Sequence, residues 1–374
     1  MFIGLGLHIA LLGSAAFWPS ELFIGGEPGQ FMLVDPAYLY QDTAGTMPVT
    51  AVGQSVALCE DQSGRGNHDT QPTVGSRPIY GKHPANGYKN MLYGSDTLVT
   101  QNVATLAKQK TLSFTGTGTV TLTGSYIGTL VGVGAGRTSL TFTPTAGTLT
   151  LTVVGSVTLA MLEDAASFTT YQRTGATSGV AWPAPPSYDI TEAGQPDLHY
   201  LHFNGVSSFM VSPTITPGID KAQVFVGIRK LSDAAQGCVL ETSSGALNGS
   251  ISVWAPSFAG GGYAYWSRGT LLNPNAFTGT PSSPNTSVLS GVSDIANDAV
   301  TLRVNGTQIV TSSTDQGTGN YLAYPIYTGR RAGTSIPVSM LLYSKIVRFG
   351  STLTADTIAA TDRWTGQRAG VSIA

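Results

Sequence analysis

Between residues 111 and 162 threonine alternates with leucine, valine or phenylalanine at every second position, first in TLSFTGTGTVTLTGS and then in RTSLTFTPTAGTLTLTVVGSVTLAML. A period of two sends apolar side chains to one face and hydroxyls to the other. That is the pattern of half-buried antiparallel strands, and no helix reproduces it. KAQVFVGIRKL (221–231), ISVWAPSF (251–258), VTLRVNGTQIV (300–310) and VSMLLYSKIVRFG (338–350) also read as strands, the third carrying the hairpin dipeptide Asn305-Gly306. With 46 Gly, 20 Pro and only 11% charged residues, the chain would read as disordered were 41% of it not hydrophobic. The expected fold is therefore all-β, with short strands joined by Gly, Pro and Asn turns. The one helix expected is TADTIAATDRWTGQRAG (354–370), with Thr354 as N-cap, Asp356 in the first turn and Gly370 after the last. It is expected to cap one end of a sheet. The proline-rich stretches WPAPPSYD (182–189) and NPNAFTGTPSSPN (273–285) read as linkers or long loops.

The formal net charge is −2, and Lys and Arg form no run. A nucleic-acid ligand is thereby excluded, since neutralising phosphates needs a basic stripe. Cys59 and Cys238 fit no metal spacing and are expected as two buried thiols, a disulfide between them being the alternative. The first nineteen residues, MFIGLGLHIALLGSAAFWP, are apolar, with no Lys or Arg before Arg65. They lack the positive n-region of a secretory signal, and His8 and Pro19 interrupt the run of about 20 apolar residues that a membrane span requires. Residues 1–30 are expected to be a docking segment, covered by a partner protein through Phe2, Ile3, Leu5, Leu7, Ile9, Leu11, Phe17 and Trp18. The alternative is a segment buried in this chain's own core, or a cleaved leader.

In DQSGRGNHDTQP (61–72), Asp61 and Ser63 can bond back to local N–H groups, Gly64 and Gly66 supply positive φ, and Asn67 tolerates the left-handed region. A fold-defining turn is expected. Asp61, Asn67 and Asp69 offer too few carboxylates for a hard cation, so no metal is expected. Hydrolysis of a glycan needs two carboxylates facing one sugar. Glu60–Asp61 and Glu163–Asp164 are sequence neighbours that strands would point to opposite faces. Glu192 stands alone, and Glu241 is the best single candidate, its bland reading being a solvated residue at a turn. GVGAGRTS (132–139) lacks the Gly-Lys-Ser/Thr ending of a phosphate loop and reads as a hairpin turn; no cofactor is implied. Sugar binding is the more natural chemistry. VWAPSFAGGGYAYWSRG (253–269) concentrates Trp254, Tyr263, Tyr265, Trp266 and Arg268, with the two tyrosines on one strand face and Trp266 on the other. The group serves either as core packing or as a glycan or partner contact.

The turn Asp61-x-Ser63-Gly64-x-Gly66-Asn67 and the later LHFNGVSSFMV (201–211), with Leu201, Phe203, Asn204, Gly205, Ser208 and Phe209, together resemble laminin-G-like or concanavalin A-like jelly rolls. The wording of DPAYLYQDTAGTMPVTAVGQSVALCEDQSGRGNHDTQPTVGSRPIY (35–80) resembles the opening of a jelly-roll family found in tailed-bacteriophage virion proteins. In such folds the two motifs are close in sequence, whereas here residues 69–200 intervene. An inserted domain is the economical explanation. The insert resembles the carbohydrate-binding-module-like sandwiches of phage tail proteins, with Asp164 where their closing strand carries Gly. The resemblance implies a discontinuous jelly roll over 31–92 and 178–374, an inserted β-sandwich over 93–177, and a short C-terminal helix. It further implies a non-enzymatic virion component on a tail fibre or receptor-binding device. Its partners would be other virion proteins, host surface carbohydrate and copies of itself, a trimer being plausible. A head fibre or capsid decoration protein, a glycan depolymerase and a secreted lectin-like module remain as alternatives.

Overall fold

The computed structural model describes residues 17–175, 188–245, 247–277, 279 and 281–374. Two antiparallel sheets form the main sandwich. The first runs, from one edge, Thr307–Ser312, Ala299–Val304, Asn285–Asp294, Lys221–Lys230, Ser339–Phe349, Asp197–Asn204 and Ile79–Pro84, with Gly29–Leu33 also paired along Ser339–Phe349. The second runs Leu39–Tyr40, Leu58–Cys59, Asp69–Thr70, Met210–Val211, Ile326–Thr328, Cys238–Thr242, Ser250–Trp254, Tyr263–Arg268 and Leu272–Phe277. Val224, Val226, Ile228 and Leu342 of the first sheet meet Val239, Ile251, Val253, Tyr263 and Tyr265 of the second in the core. The fold is an all-β sandwich with one C-terminal helix, as the alternating strands implied.

The strand Lys221–Lys230 is almost wholly buried because both its faces are covered. Val224 and Val226 enter the sandwich, and Phe225 packs with Trp364 of the helix Ala355–Ala369 on the opposite face. That helix starts where its residues dictate. Thr354 accepts from Thr357 N, and Gly370 closes it at φ 70°. It lies across the outer face of the first sheet rather than at its end. Gly227 allows the approach, since a Cβ there would stand 3.2 Å from the Ala369 Cβ.

Residues 101–163 form two further sheets. One contains Gly134–Phe142, Lys110–Gly116 and Thr158–Glu163; the other contains Gln101–Thr105, Gly147–Val154, Thr119–Gly124 and Gly128–Val131. Leu112, Phe114, Val120, Leu122, Leu149 and Leu151 fill the space between them, while Thr121, Thr123 and Thr152 stay exposed. The ends of this unit lie side by side, with Gly94 N donating to Gly175 O over 2.6 Å. Asn90 fastens the junction: its Nδ2 donates to Ala160 O and Gln172 O, and its Oδ1 accepts from Leu92 N and Leu162 N.

Several local expectations change. Residues 17–30 are part of this chain's own fold. Leu22 and Phe23 are buried, Trp18 stacks edge-on against Phe31 and Trp364, and Gly29 begins a strand. Phe2, Ile3, Leu5, Leu7, Ile9 and Leu11 lie outside the described residues, as does most of the linker at 182–189. The first part of the expected loop 273–285 is instead the edge strand Leu272–Phe277, where the missing N–H of Pro274 is tolerated. Gly134 opens a bulged strand rather than sitting in a hairpin turn. Cys59 and Cys238 are free and buried, the expected arrangement rather than its disulfide alternative.

Candidate functional site

The glycine-rich turn is built around one carboxylate. Asp61 Oδ1 accepts from Phe31 N and Ser63 N, both at 2.9 Å, and Oδ2 accepts from Ser63 Oγ at 2.7 Å and Asn67 N at 2.9 Å. Protein donors therefore occupy all four of its acceptor positions. Asn67 Nδ2 donates to Gly29 O, and Asp61 N donates to His68 Nδ1. Gly64 and Gly66 sit at φ 79° and 71° with open space around them, so backbone conformation alone requires glycine there. The turn clamps the first strand of one sheet to the start of the other.

The aromatic segment is placed otherwise than a sugar platform would need. Trp254, Tyr263 and Tyr265 are fully buried. Tyr263 and Tyr265 do share a face, and that face is the core: Tyr265 Oη bonds Ser293 Oγ, and Tyr263 Oη donates to Asn285 Oδ1. Trp254 lies on the other side of the sheet, between Trp266 at 4.8 Å and the Arg331 guanidinium at 4.7 Å. None of the three presents a ring to solvent. Trp266 and Arg268 are half-buried, Arg268 donating to Asn248 Oδ1.

The carboxylates singled out for hydrolysis are likewise committed to structure. Glu241 is fully buried and holds Arg331 through two hydrogen bonds of 2.8 and 3.1 Å, so it is not a solvated turn residue. Glu163 accepts from Thr169 N and Oγ1, Asp164 holds Lys108 and Lys110, and Glu192 holds Lys89 and Gln172.

A concave polar surface lies elsewhere, beside the paired strands Gln172–Thr174 and Ile190–Glu192. Three segments meet there. Lys82 pairs with His199 across antiparallel strands and bridges Asp189 on its other side, so Asp189, Lys82 and His199 stand in one row at strand spacing, about 4.8 Å apart. Arg173 joins from the hairpin Gln172–Thr174/Ile190–Glu192, bonding Asp189 through Nη1 and Asp96 through Nε. Lys82 Nζ reaches Asp197 at 2.8 Å. Thr50, Thr191, Pro36, Ala51, Val52 and Tyr80 complete a cleft of about 310 Å³. Tyr80 Oη lies 2.7 Å from His199 Nδ1, which leaves Nε2 without a partner among the described residues. Burial pushes the Tyr80 phenol up, with Asp35, Asp197 and Asp189 adding to the rise, and burial pushes His199 down. The row escaped the sequence reading because Lys82 lies more than a hundred residues before Asp189 and His199.

No family model and no curated protein matches the chain. Among solved structures it is similar to the receptor-binding domain of botulinum neurotoxin mosaic serotype C/D, with 9% identity and a TM-score of 0.36. That match covers 44% of this chain and only 42% of the toxin chain. It is also similar to the CBM40 of a Ruminococcus gnavus IT-sialidase bound to α2,3-sialyllactose, with 16% identity and a TM-score of 0.32, over 39% of this chain and 84% of that one. A botulinum neurotoxin serotype D ligand-binding domain in complex with N-acetylneuraminic acid matches with 8% identity and a TM-score of 0.36, over 44% and 42%.

Proposed function

We propose that the protein is a glycan-binding, non-hydrolytic component of a tailed-phage virion, carried on a tail fibre or receptor-binding device. It holds its ligand in the cleft of Lys82, Arg173, Asp189 and His199. The carrying observation is the placing of donors beside acceptors at that cleft: Arg173 and Asp189, both lining it, form one ion pair, and Lys82, also lining it, forms another with Asp197 of the adjoining hollow. Each hydroxyl of a pyranose both donates and accepts, so neighbouring hydroxyls are matched by such pairs. The apolar side chains of Pro36, Ala51 and Val52 offer a surface for the C–H face. The structural commitment of Glu163, Glu192 and Glu241 supports binding over hydrolysis. The phage reading is supported by the wording of residues 35–80 and by the apolar stretch 1–16.

Two measurements test this. Mass spectrometry of purified particles finds the chain as a stoichiometric component, and its absence from particles overturns the virion assignment. Purified protein incubated with host surface polysaccharide binds it without releasing reducing ends; release by the wild type makes the protein a depolymerase.

A further inference from the structure

Resting on that reading of the cleft, we infer that its glycan carries no acidic group: the ligand is neutral or bears a free amine, and uronic or sialic acid units are excluded. The argument is charge placement. Lys82 and Arg173 line the cleft, but neither is a spare cation. Lys82 is held by Asp197, and Arg173 is held by both Asp189 and Asp96. Asp35 adds a further carboxylate on the far side of His199, where Arg368 also lines the adjoining hollow, its guanidinium lying over the rings of Trp18 and Trp364. Around His199 the lining carboxylates Asp35, Asp189 and Asp197 match the lining cations Lys82, Arg173 and Arg368 in number, and Asp96 adds a fourth carboxylate on Arg173. Burial keeps the imidazole in its neutral form, so it contributes hydrogen bonding and no charge. The phenol of Tyr80, at the floor, is pushed up by burial first and then by Asp35, Asp197 and Asp189. An incoming carboxylate would have to displace an existing aspartate from Lys82 or Arg173 and would meet like charge on both sides. A hydroxyl disturbs neither ion pair. A protonated amine finds carboxylates on either side of Lys82, at Asp189 and Asp197.

The test uses three trisaccharides that differ in charge: tri-N-acetylglucosamine, triglucosamine and trigalacturonic acid. Each is titrated into the full chain while the His199 ring signals are followed by NMR. The expected result is that the amine-bearing or acetylated trimer perturbs His199 at a concentration at least about tenfold below the acidic trimer. In the Asp189→Asn, Asp197→Asn double variant, the acidic trimer should gain ground by a comparable factor. Tighter binding of trigalacturonic acid to the wild type overturns the charge inference while leaving a glycan cleft in place. If no trimer perturbs His199, the cleft reading fails, and the inference with it.

Discussion

Lys345 Nζ donates to Asp69 Oδ2 over 2.7 Å at the centre of the sandwich, and neither side chain reaches solvent. The pair joins the two sheets. Lys345 also donates to Thr328 Oγ1 at 2.7 Å, and Gln30 Nε2 donates to Asp69 Oδ1 at 2.6 Å. Removing one member leaves a buried charge uncompensated, which costs on the order of 3–5 kcal/mol. Asp69→Ala is therefore expected to lower the urea unfolding midpoint by that much stability. Asp69→Leu combined with Lys345→Met should recover most of it, because a well-packed apolar pair avoids the desolvation penalty. A loss below about 1 kcal/mol for the single variant would show that the pair does not hold the sheets together.

Stability is expected to fall between pH 6.5 and 5. Burial pushes His83 and His202 down to about 4, so both are neutral in the folded chain. His83 donates from Nδ1 to Pro84 O and accepts at Nε2 from Tyr343 Oη. The unfolded chain takes up protons near pH 6.5 and the folded chain does not. The unfolded state therefore binds more protons in this window, and stability drops as pH falls towards 4. The loss is about 2 kcal/mol per histidine at pH 5 and reaches on the order of 3 kcal/mol near pH 4. Urea titrations at pH 7.5 and 5.0 read it, and His202→Asn should flatten the dependence. A midpoint independent of pH over this range would contradict the burial of both rings.

Phe17, Trp18, Leu22 and Phe23 belong to this chain's own core. Trp18 meets Phe31 at 5.8 Å and Trp364 at 5.6 Å, each pair worth about 0.5–1.5 kcal/mol beyond its buried area. Deleting residues 1–16 is expected to leave the melting temperature unchanged and to abolish incorporation into particles. Deleting residues 1–23 also removes Leu22 and Phe23 from the core, and the melting temperature should fall markedly. Particles that still incorporate the shorter deletion would place the docking surface elsewhere.

How much of this could be read in advance depended on the distance over which residues cooperate. The strand Ala299–Val304, its Asn305-Gly306 turn and the capped helix Ala355–Ala369 are local, so propensity and capping chemistry located them closely. The pairing of Tyr263 with Tyr265 on one face was equally legible, since it follows from period two. Which face pointed inward was not, because that depends on the second sheet. Glu241 read as solvated because its partner Arg331 lies ninety positions away, on a separate hairpin. The row Asp189–Lys82–His199 depends on three segments, one before residues 93–177 and two after them, and no spacing encodes it.

The insert is expected to be separable. Replacing residues 93–175 by a short Gly-Ser bridge joins chain ends that are already adjacent at Gly94 and Gly175. The remainder should show a single cooperative melt, lowered in temperature because Asn90 and Glu192 lose Gln172 as a partner. Aggregation with bridges of every length would show that the main sandwich depends on the insert to fold.

The most direct measurement is the equilibrium affinity of the purified protein for oligosaccharides released from the host surface, compared across single variants of unchanged melting temperature. Arg173→Ala and His199→Ala are each expected to weaken binding by about tenfold or more, the loss of one well-formed polar contact in a desolvated site. Trp266→Ala should bind as the wild type does. Undiminished binding by both cleft variants, with loss on replacing Trp266, would contradict the account and return the site to the aromatic segment.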